Sequence, residues 1–197
     1  MKFFIVSYHG DSRGHRFASQ LSNQLSEYIN VKHPRSKSQR FTWGESALLN
    51  GYSIYHHLGG HTFFNKDLHG PVVSMDFDPI KHNDSQRLHP YKYNLVITHA
   101  YTKDQLQTIK SLFSGHNIII CGITYTMDNV EYLVERSYSL TVPKVLDKKY
   151  LDTFYTAQID VPTLHDITFP LDQLINDDDP IDLTEIRNYI KNKDINS

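Results

Sequence analysis

Apolar residues along this chain follow two rhythms, unbroken runs and a spacing of three to four. Phe3-Phe4-Ile5-Val6 is a run that stops at Ser7, and the polar, glycine-containing stretch Tyr8-His9-Gly10-Asp11-Ser12-Arg13-Gly14-His15-Arg16 follows it. Beyond that stretch, apolar side chains recur at Phe17, Ala18, Leu21, Leu25, Tyr28 and Ile29, the spacing of a helix with one buried face. A strand, a turn and a helix are therefore predicted at the start of the chain. Residues 31–39, with Pro34 and the basic residues Lys32, Arg35 and Lys37, read as an exposed loop suited to substrate contacts. Thr42-Trp43-Gly44-Glu45 has the form of a capping box. It predicts a helix through Leu48, Leu49, Tyr52, Ile54, Tyr55 and Leu58 that Gly59-Gly60 stops.

Residues 72–77 read as a short strand behind Pro71, and residues 78–93, with two prolines, as irregular turns. In the second half the rhythm is cleaner. Leu95-Val96-Ile97-Thr98 predicts a strand, and a second capping box, Thr102 to Gln105, opens a helix bearing Leu106, Ile109, Leu112 and Phe113 that ends at Gly115. Residues 117–123 form a continuous apolar run, the pattern of a strand buried on both faces of a parallel sheet. A helix then starts at Thr126 and Asp128 and carries Val130, Leu133, Val134 and Tyr138. Further on, residues 144–155 predict a helix, residues 166–169 a short strand, and Asp182-Leu183-Thr184-Glu185 caps a closing helix with Ile186, Tyr189 and Ile190. This alternation predicts an α/β fold, a mostly parallel sheet with helices on both faces joined by right-handed crossovers.

At 197 residues and 39% hydrophobic content, the chain suits one sizeable core. The formal net charge of −2 gives no global basic field, so nothing in the charge balance supports a nucleic-acid partner. Any anion site must be local. The only cysteine, Cys121, lies in an apolar run, which excludes an intramolecular disulfide and a multi-cysteine zinc site and suits a reducing compartment. No apolar stretch approaches the roughly 20 residues that span a bilayer, and Lys2 is followed by too short an apolar run for a signal peptide. A cytoplasmic protein without membrane contact is expected. Three adjacent carboxylates, Asp177 to Asp179, read as a solvated loop before the last helix rather than a cation site.

Ligands of open parallel sheets bind beyond the carboxyl ends of the strands. That rule selects the stretch at residues 8–16, His99 after the strand at residues 95–98, and residues 124–128 after the strand at 117–123, and expects the three to converge. The first opens a helix, whose free N–H groups and dipole favour an anion, with Arg13 and Arg16 adding formal charge. There is no Gly-Lys-Ser/Thr, so this is not the usual nucleoside-triphosphate loop. A plain corner with solvated arginines has the same local pattern. His99 suits a general base because a neutral imidazole takes a proton from a hydroxyl near neutral pH; a histidine bonded to a neighbouring turn fits the position equally.

Leu95-Val96-Ile97-Thr98-His99, the helical connection ending in Leu112-Phe113, and Asn117-Ile118-Ile119-Ile120-Cys121 resemble the centre of the sulfotransferase family, a P-loop-type α/β fold. There a strand ending in Thr-His precedes a helix and a Lys-Ile-Ile strand. Asp166-Ile167-Thr168-Phe169-Pro170-Leu171-Asp172-Gln173-Leu174 and the helix from Asp182 resemble that family's short strand, Asp-Leu turn and closing helix. The resemblance touches most of the chain in order, and it implies one sulfotransferase-like domain over residues 1–197. It further implies that His99 is the catalytic base and that Gly10, Asp11, Ser12, Arg13, Gly14, His15 and Arg16 cradle the 5′-phosphosulfate of a 3′-phosphoadenylyl sulfate donor or a related phosphorylated nucleotide. Arg13 then reaches the bridging oxygen, Asp128 belongs to the part that holds the 3′-phosphate, and no metal is needed.

The chain also departs from the family. The family loop reads Pro-Lys/Arg-Ser-Gly-Thr/Ser-Thr/His-Trp/Phe; here Gly14 and Phe17 align and the basic residue is displaced by one. The family's arginine and serine for the 3′-phosphate, expected near residues 123–124 and 130–132, are absent, with Arg136 or Ser137 as partial replacements one turn on, and Ile97 stands where the family has lysine. Each lost charge-assisted phosphate contact costs about 1.5–3 kcal/mol. The enzyme reading, with a nucleotide donor and an acceptor hydroxyl as partners, therefore stands beside a second one. In that alternative the fold is kept without catalysis, as a binding or structural component such as a virus or phage carries. A metal-dependent phosphoesterase built on His9, Asp11, His56, His57, His61 and His99 ranks third, because Gly59-Gly60 breaks the helix that would align His57 with His61.

Overall fold

The computed structural model describes residues 1–8, 13–30, 33–34, 48–49, 52–53, 56–58, 88–98, 103–126, 129, 132, 164–176 and 180–195. β1 (Lys2–Ser7) lies at the centre of the main sheet, between β7 (Tyr93–Thr98) and β8 (Asn117–Thr124). β2 (Ile29–Asn30) and β6 (His56–Leu58) share the outer side of β7, the first beside Tyr93 and Asn94 and the second beside Val96 to Thr98. β9 (Ile167–Pro170) pairs with β8 on the far side. All of these pairings are parallel.

Two apolar layers follow from the pleat, which sends alternate residues of β1 to opposite faces. Phe4, Val6 and Tyr8 join one core with Phe17, Ala18 and Leu21 of α1 (Gly14–Gln24), Leu174 of α3 (Asp172–Ile175) and Ile186 and Ile190 of α4 (Thr184–Ile195). Phe3 and Ile5 join the other with Leu106 and Ile109 of α2 (Lys103–Leu112) and the adjacent Phe113. The class is α/β with a parallel sheet covered on both faces, as the alternating pattern predicts. Gly115, at φ +84°, takes the left-handed turn after α2 that glycine adopts without steric cost. Asp182 Oδ1 accepts the N–H of Thr184, the first residue of α4, at 2.9 Å and so gives one unpaired N–H of the helix start a partner. No helix among the described residues is long and apolar enough to cross a membrane.

Two expected helices differ from the structure. α1 ends at Gln24, and Ile29 and Asn30 form β2 instead of a last helical turn. Ile29 still reaches the same core, so burial alone could not reveal that the chain had left the helix. The helix expected from residue 42 to Leu58 is not formed where the chain is described. β4 (Leu48–Leu49) and β5 (Tyr52–Ser53) pair antiparallel, β3 (His33–Pro34) pairs with β5, and His56–Leu58 is β6. Leu49 opposite Tyr52 leaves only Asn50-Gly51 between paired residues, and that dipeptide is a strong hairpin signal. The expected strand at 72–77, the helix at 144–155 and the acidic run at 177–179 lie outside the described residues.

At the amino end of the sheet, the buried Asn94 joins β1, β2 and the turn before β7. Its Nδ2 donates to Lys2 O at 3.1 Å and His89 O at 3.0 Å, while its Oδ1 accepts from Asn30 Nδ2 at 2.9 Å and the His89 N–H at 2.8 Å. Both donors and both lone pairs of the amide are used. Beside it, Asp194 accepts from Lys2 Nζ at 2.8 Å and Tyr93 Oη at 3.0 Å, tying α4 to the sheet. Burial first, and then the Asp194 carboxylate, push the Tyr93 hydroxyl pKa upward. Asn94→Ala is expected to lower stability by about 3 kcal/mol in urea titration, because it strands several buried polar groups at once. A loss below about 1 kcal/mol contradicts this account of the network.

Candidate functional site

Ser7, the last residue of β1, is level with Thr98 of β7 and Gly122 of β8. The Tyr8 N–H donates to Thr98 O at 3.1 Å, so the chain leaves β1 still tied to β7. The stretch after β1, the residues after β7 and those after β8 thus start from adjacent strand ends at the carboxyl edge. Among the expected site residues, Gly10, Asp11, Ser12, His99 and Asp128 lie outside the described residues. Arg13, Gly14 and Arg16 are described, and His15 is described as a backbone position in α1.

Arg13 is the N-cap of α1 and holds the left-handed conformation, φ 59° and ψ 25°, without a side-chain cap. Its carbonyl accepts the Phe17 N–H at 3.0 Å, the first helical bond. A non-glycine residue pays about 1 kcal/mol for that conformation. Gly14 next to it has a packing reason. A Cβ there would stand 2.5 Å from the Tyr8 ring, so the aromatic side chain packs directly on the glycine backbone. The buried Tyr8 thereby links the two ends of the stretch, through its own backbone tied to β7 just after β1 and its ring on α1.

The two arginines reach toward the C-terminal part of the chain. Arg13 Nε donates to Tyr132 Oη at 2.8 Å and its Nη2 to Ile175 O at 3.1 Å. Arg16 Nη1 donates to Leu174 O at 3.5 Å and to Asn176 O. Both guanidinium groups therefore meet the carbonyl end of α3, where the helix leaves its last C=O groups without helical partners. The other end of α3 is tied to the segment after β8. Asn129 Nδ2 donates to Asp172 Oδ1, and Asn129 Oδ1 accepts the Thr126 N–H at 3.0 Å. Sequence reading assigned the arginine charge to the loop alone; Tyr132 and the α3 carbonyls as partners, over 100 residues away in the chain, carried no local signal.

His165, just before β9, is a part-buried side chain at this edge of the sheet that sequence reading did not single out. Its ring lies against Gly122, at a place where a Cβ would overlap the imidazole, and its Nε2 is 3.3 Å from Ser7 Oγ. Its Nδ1 is buried without a hydrogen-bond partner. Burial, and then the charge of Lys110, push its pKa down to about 4, against a smaller opposing effect of Asp166. The imidazole is neutral at physiological pH. A lone glycine inside the apolar run of β8 was the available signal, since glycine within a strand often marks a close approach. Cys121 is fully buried, and burial raises its thiol pKa, so it packs as a small apolar side chain with its proton kept.

Among the described residues no group of three histidine, cysteine or carboxylate side chains is placed to hold a metal. His56 and His57 lie in strand β6, and His9, Asp11, His61 and His99 lie outside the described residues. No family model matches the chain, and no curated protein matches it. Among solved structures, the chain is similar to a gluconokinase from Sinorhizobium meliloti 1021, with 9% identity over 98% of this chain and 90% of that one, at a TM-score of 0.40. A likeness this slight carries no argument about activity. The α/β class rests on strand order and register.

The buried imidazole gives stability a defined pH dependence. An unfolded chain binds the proton near the ordinary value of 6.5, whereas the folded chain binds it only near 4. The fold therefore loses stability as pH falls through that window and gains nothing from this group above it, by up to about 3 kcal/mol in all. Urea titrations of wild type and His165→Gln between pH 7 and pH 4 should show the wild type falling more steeply, the gap levelling off below about pH 4. Parallel profiles contradict the buried neutral imidazole.

Proposed function

We propose that the protein is a sulfotransferase-like enzyme, a single domain over residues 1–197, that takes a sulfuryl group from a 3′-phosphoadenylyl sulfate donor or a related phosphorylated nucleotide. The observation that carries this reading is the placement of the α1 amino terminus, with Arg13 and Arg16 in its first turn, at the carboxyl end of the central strand. The sequence resemblance supplies the group transferred. In this reading Gly10, Asp11, Ser12, Arg13, Gly14, His15 and Arg16 receive the 5′-phosphosulfate, and Asp128 lies with the residues for the 3′-phosphate. His99 takes the proton from the acceptor hydroxyl as its oxygen bonds sulfur. The bond from sulfur to the bridging oxygen breaks, its electron pair leaves on the 5′-phosphate, and the helix N–H groups with Arg13 stabilise that charge. An anion at this corner would meet the Arg13 and Arg16 guanidinium groups, whose bonds to an anionic oxygen are charged on both sides and stronger than their bonds to a neutral carbonyl. The sole cysteine, buried at position 121, suits a cytoplasmic setting.

The same arginine contacts favour a second reading. If Arg13 and Arg16 serve to fasten α3 to α1, the fold is retained as a binding or structural component without catalysis, of the kind a virus or phage uses. Calorimetric titration with adenosine 3′,5′-bisphosphate separates the two. The enzyme reading expects saturable binding that Arg13→Ala weakens by about tenfold or more, with His99→Ala leaving binding intact while abolishing transfer. No binding at millimolar ligand overturns it and leaves the second reading.

A further inference from the structure

We propose that His165 is a positioning residue for the anion loop, acting through Ser7 on the strand end from which residues 9–12 depart. The inference rests on the reading of that loop as an anion site. Its basis is the set of ties around Ser7 and Tyr8. From the β7 side, Thr98 O holds the Tyr8 N–H; from the α1 side, Gly14 receives the Tyr8 ring; from the β9 side, the His165 imidazole meets the Ser7 hydroxyl. His165 is itself fixed from behind. The neighbouring Asp166 donates its N–H to Ile120 O at 2.8 Å and accepts the Ile120 N–H on Oδ2 at 2.7 Å, so the backbone that carries the ring is locked onto β8.

Packing alone does not explain an imidazole at this position. Its Nδ1 is buried without a partner, a polar group whose desolvation an apolar side chain of similar size avoids. The space it occupies exists because position 122 is glycine. What the imidazole offers and an apolar residue does not is a hydrogen-bonding nitrogen beside Ser7 Oγ, at the last residue of β1. Ser7 is 1% exposed, so the bond is sheltered from water and holds the strand end rather than a ligand.

The experiment compares wild type, His165→Ala, His165→Gln, Ser7→Ala, the His165→Ala/Ser7→Ala double variant and Gly122→Ala. Two readings are taken: amide exchange at Tyr8 without ligand, and calorimetric affinity for adenosine 3′,5′-bisphosphate at pH 7. Both His165→Ala and Gly122→Ala, whose new Cβ displaces the ring, should speed Tyr8 exchange and weaken binding by about tenfold each. Gln, which keeps a neutral side chain able to donate or accept a hydrogen bond near Ser7, should restore both, and the double variant should be no worse than Ser7→Ala alone. Should His165→Ala fail to fold, the Gln and Gly122→Ala arms carry the same test. Unchanged Tyr8 exchange in His165→Ala or Gly122→Ala, or additive losses in the double variant, overturn the positioning role even if wild type binds the nucleotide. Wild type that binds no bisphosphate overturns the anion-site reading, and the role for His165 falls with it, whatever the exchange shows.

Discussion

The seating of β1 between β7 and β8 is the constraint on which the rest depends. Six residues run level with partners on both sides, Lys2 with Tyr93 and Asn117 at one end and Ser7 with Thr98 and Gly122 at the other. Phe3, Phe4, Ile5 and Val6 are fully buried, so both faces of the strand need cover, and α1, α3 and α4 on one side and α2 on the other supply it. A slip of one residue would send Phe4 and Val6 to the opposite face. Buried polar groups guard the two ends of this register. Asn94 closes the amino end with four hydrogen bonds, and Ser7 meets His165 at the carboxyl end.

From that register comes the candidate site. β1 and β7 end level and β8 runs two residues further, so the segments that leave the three strands depart from neighbouring points, and α1 begins at the same edge. The C-terminal part of the chain is bound into the same corner. Arg13 and Arg16 meet the carbonyl end of α3, Asn129 bonds the Asp172 side chain, and His165 reaches Ser7. An anion at the α1 amino terminus would therefore act on groups that also hold α3 in place. On the proposed reading, anion binding and the seating of the C-terminal segment would draw on the same two guanidinium groups.

How much of this could be read from the sequence depends on the range of the interactions. β1, β7, β8, β9, α1, α2 and α4 follow from local runs, helical spacing and caps, which are properties of a few neighbouring residues. The short strands between residues 48 and 58 did not, because Leu48, Leu49, Tyr52, Tyr55 and Leu58 satisfy a helical period while Asn50-Gly51 favours a hairpin. Ile29 misled for a related reason: it serves the core shared with α1 from a strand. His165 and the partners of the arginines were out of reach, since Ser7 and His165 are 158 positions apart and Arg13 and Ile175 are 162 apart. Gly122 was the one local trace of the first of these contacts.

On the proposed reading, the corner between β1 and α1 takes an anionic nucleotide. Amide chemical shifts recorded during titration with adenosine 3′,5′-bisphosphate test it most directly. Saturating shifts are expected to concentrate at Tyr8, residues 9–16 and Thr98, with a weaker response at Leu174 to Asn176 as the arginines change partners. Shifts that are absent, or that gather at the amino end of the sheet around Asn94, contradict it.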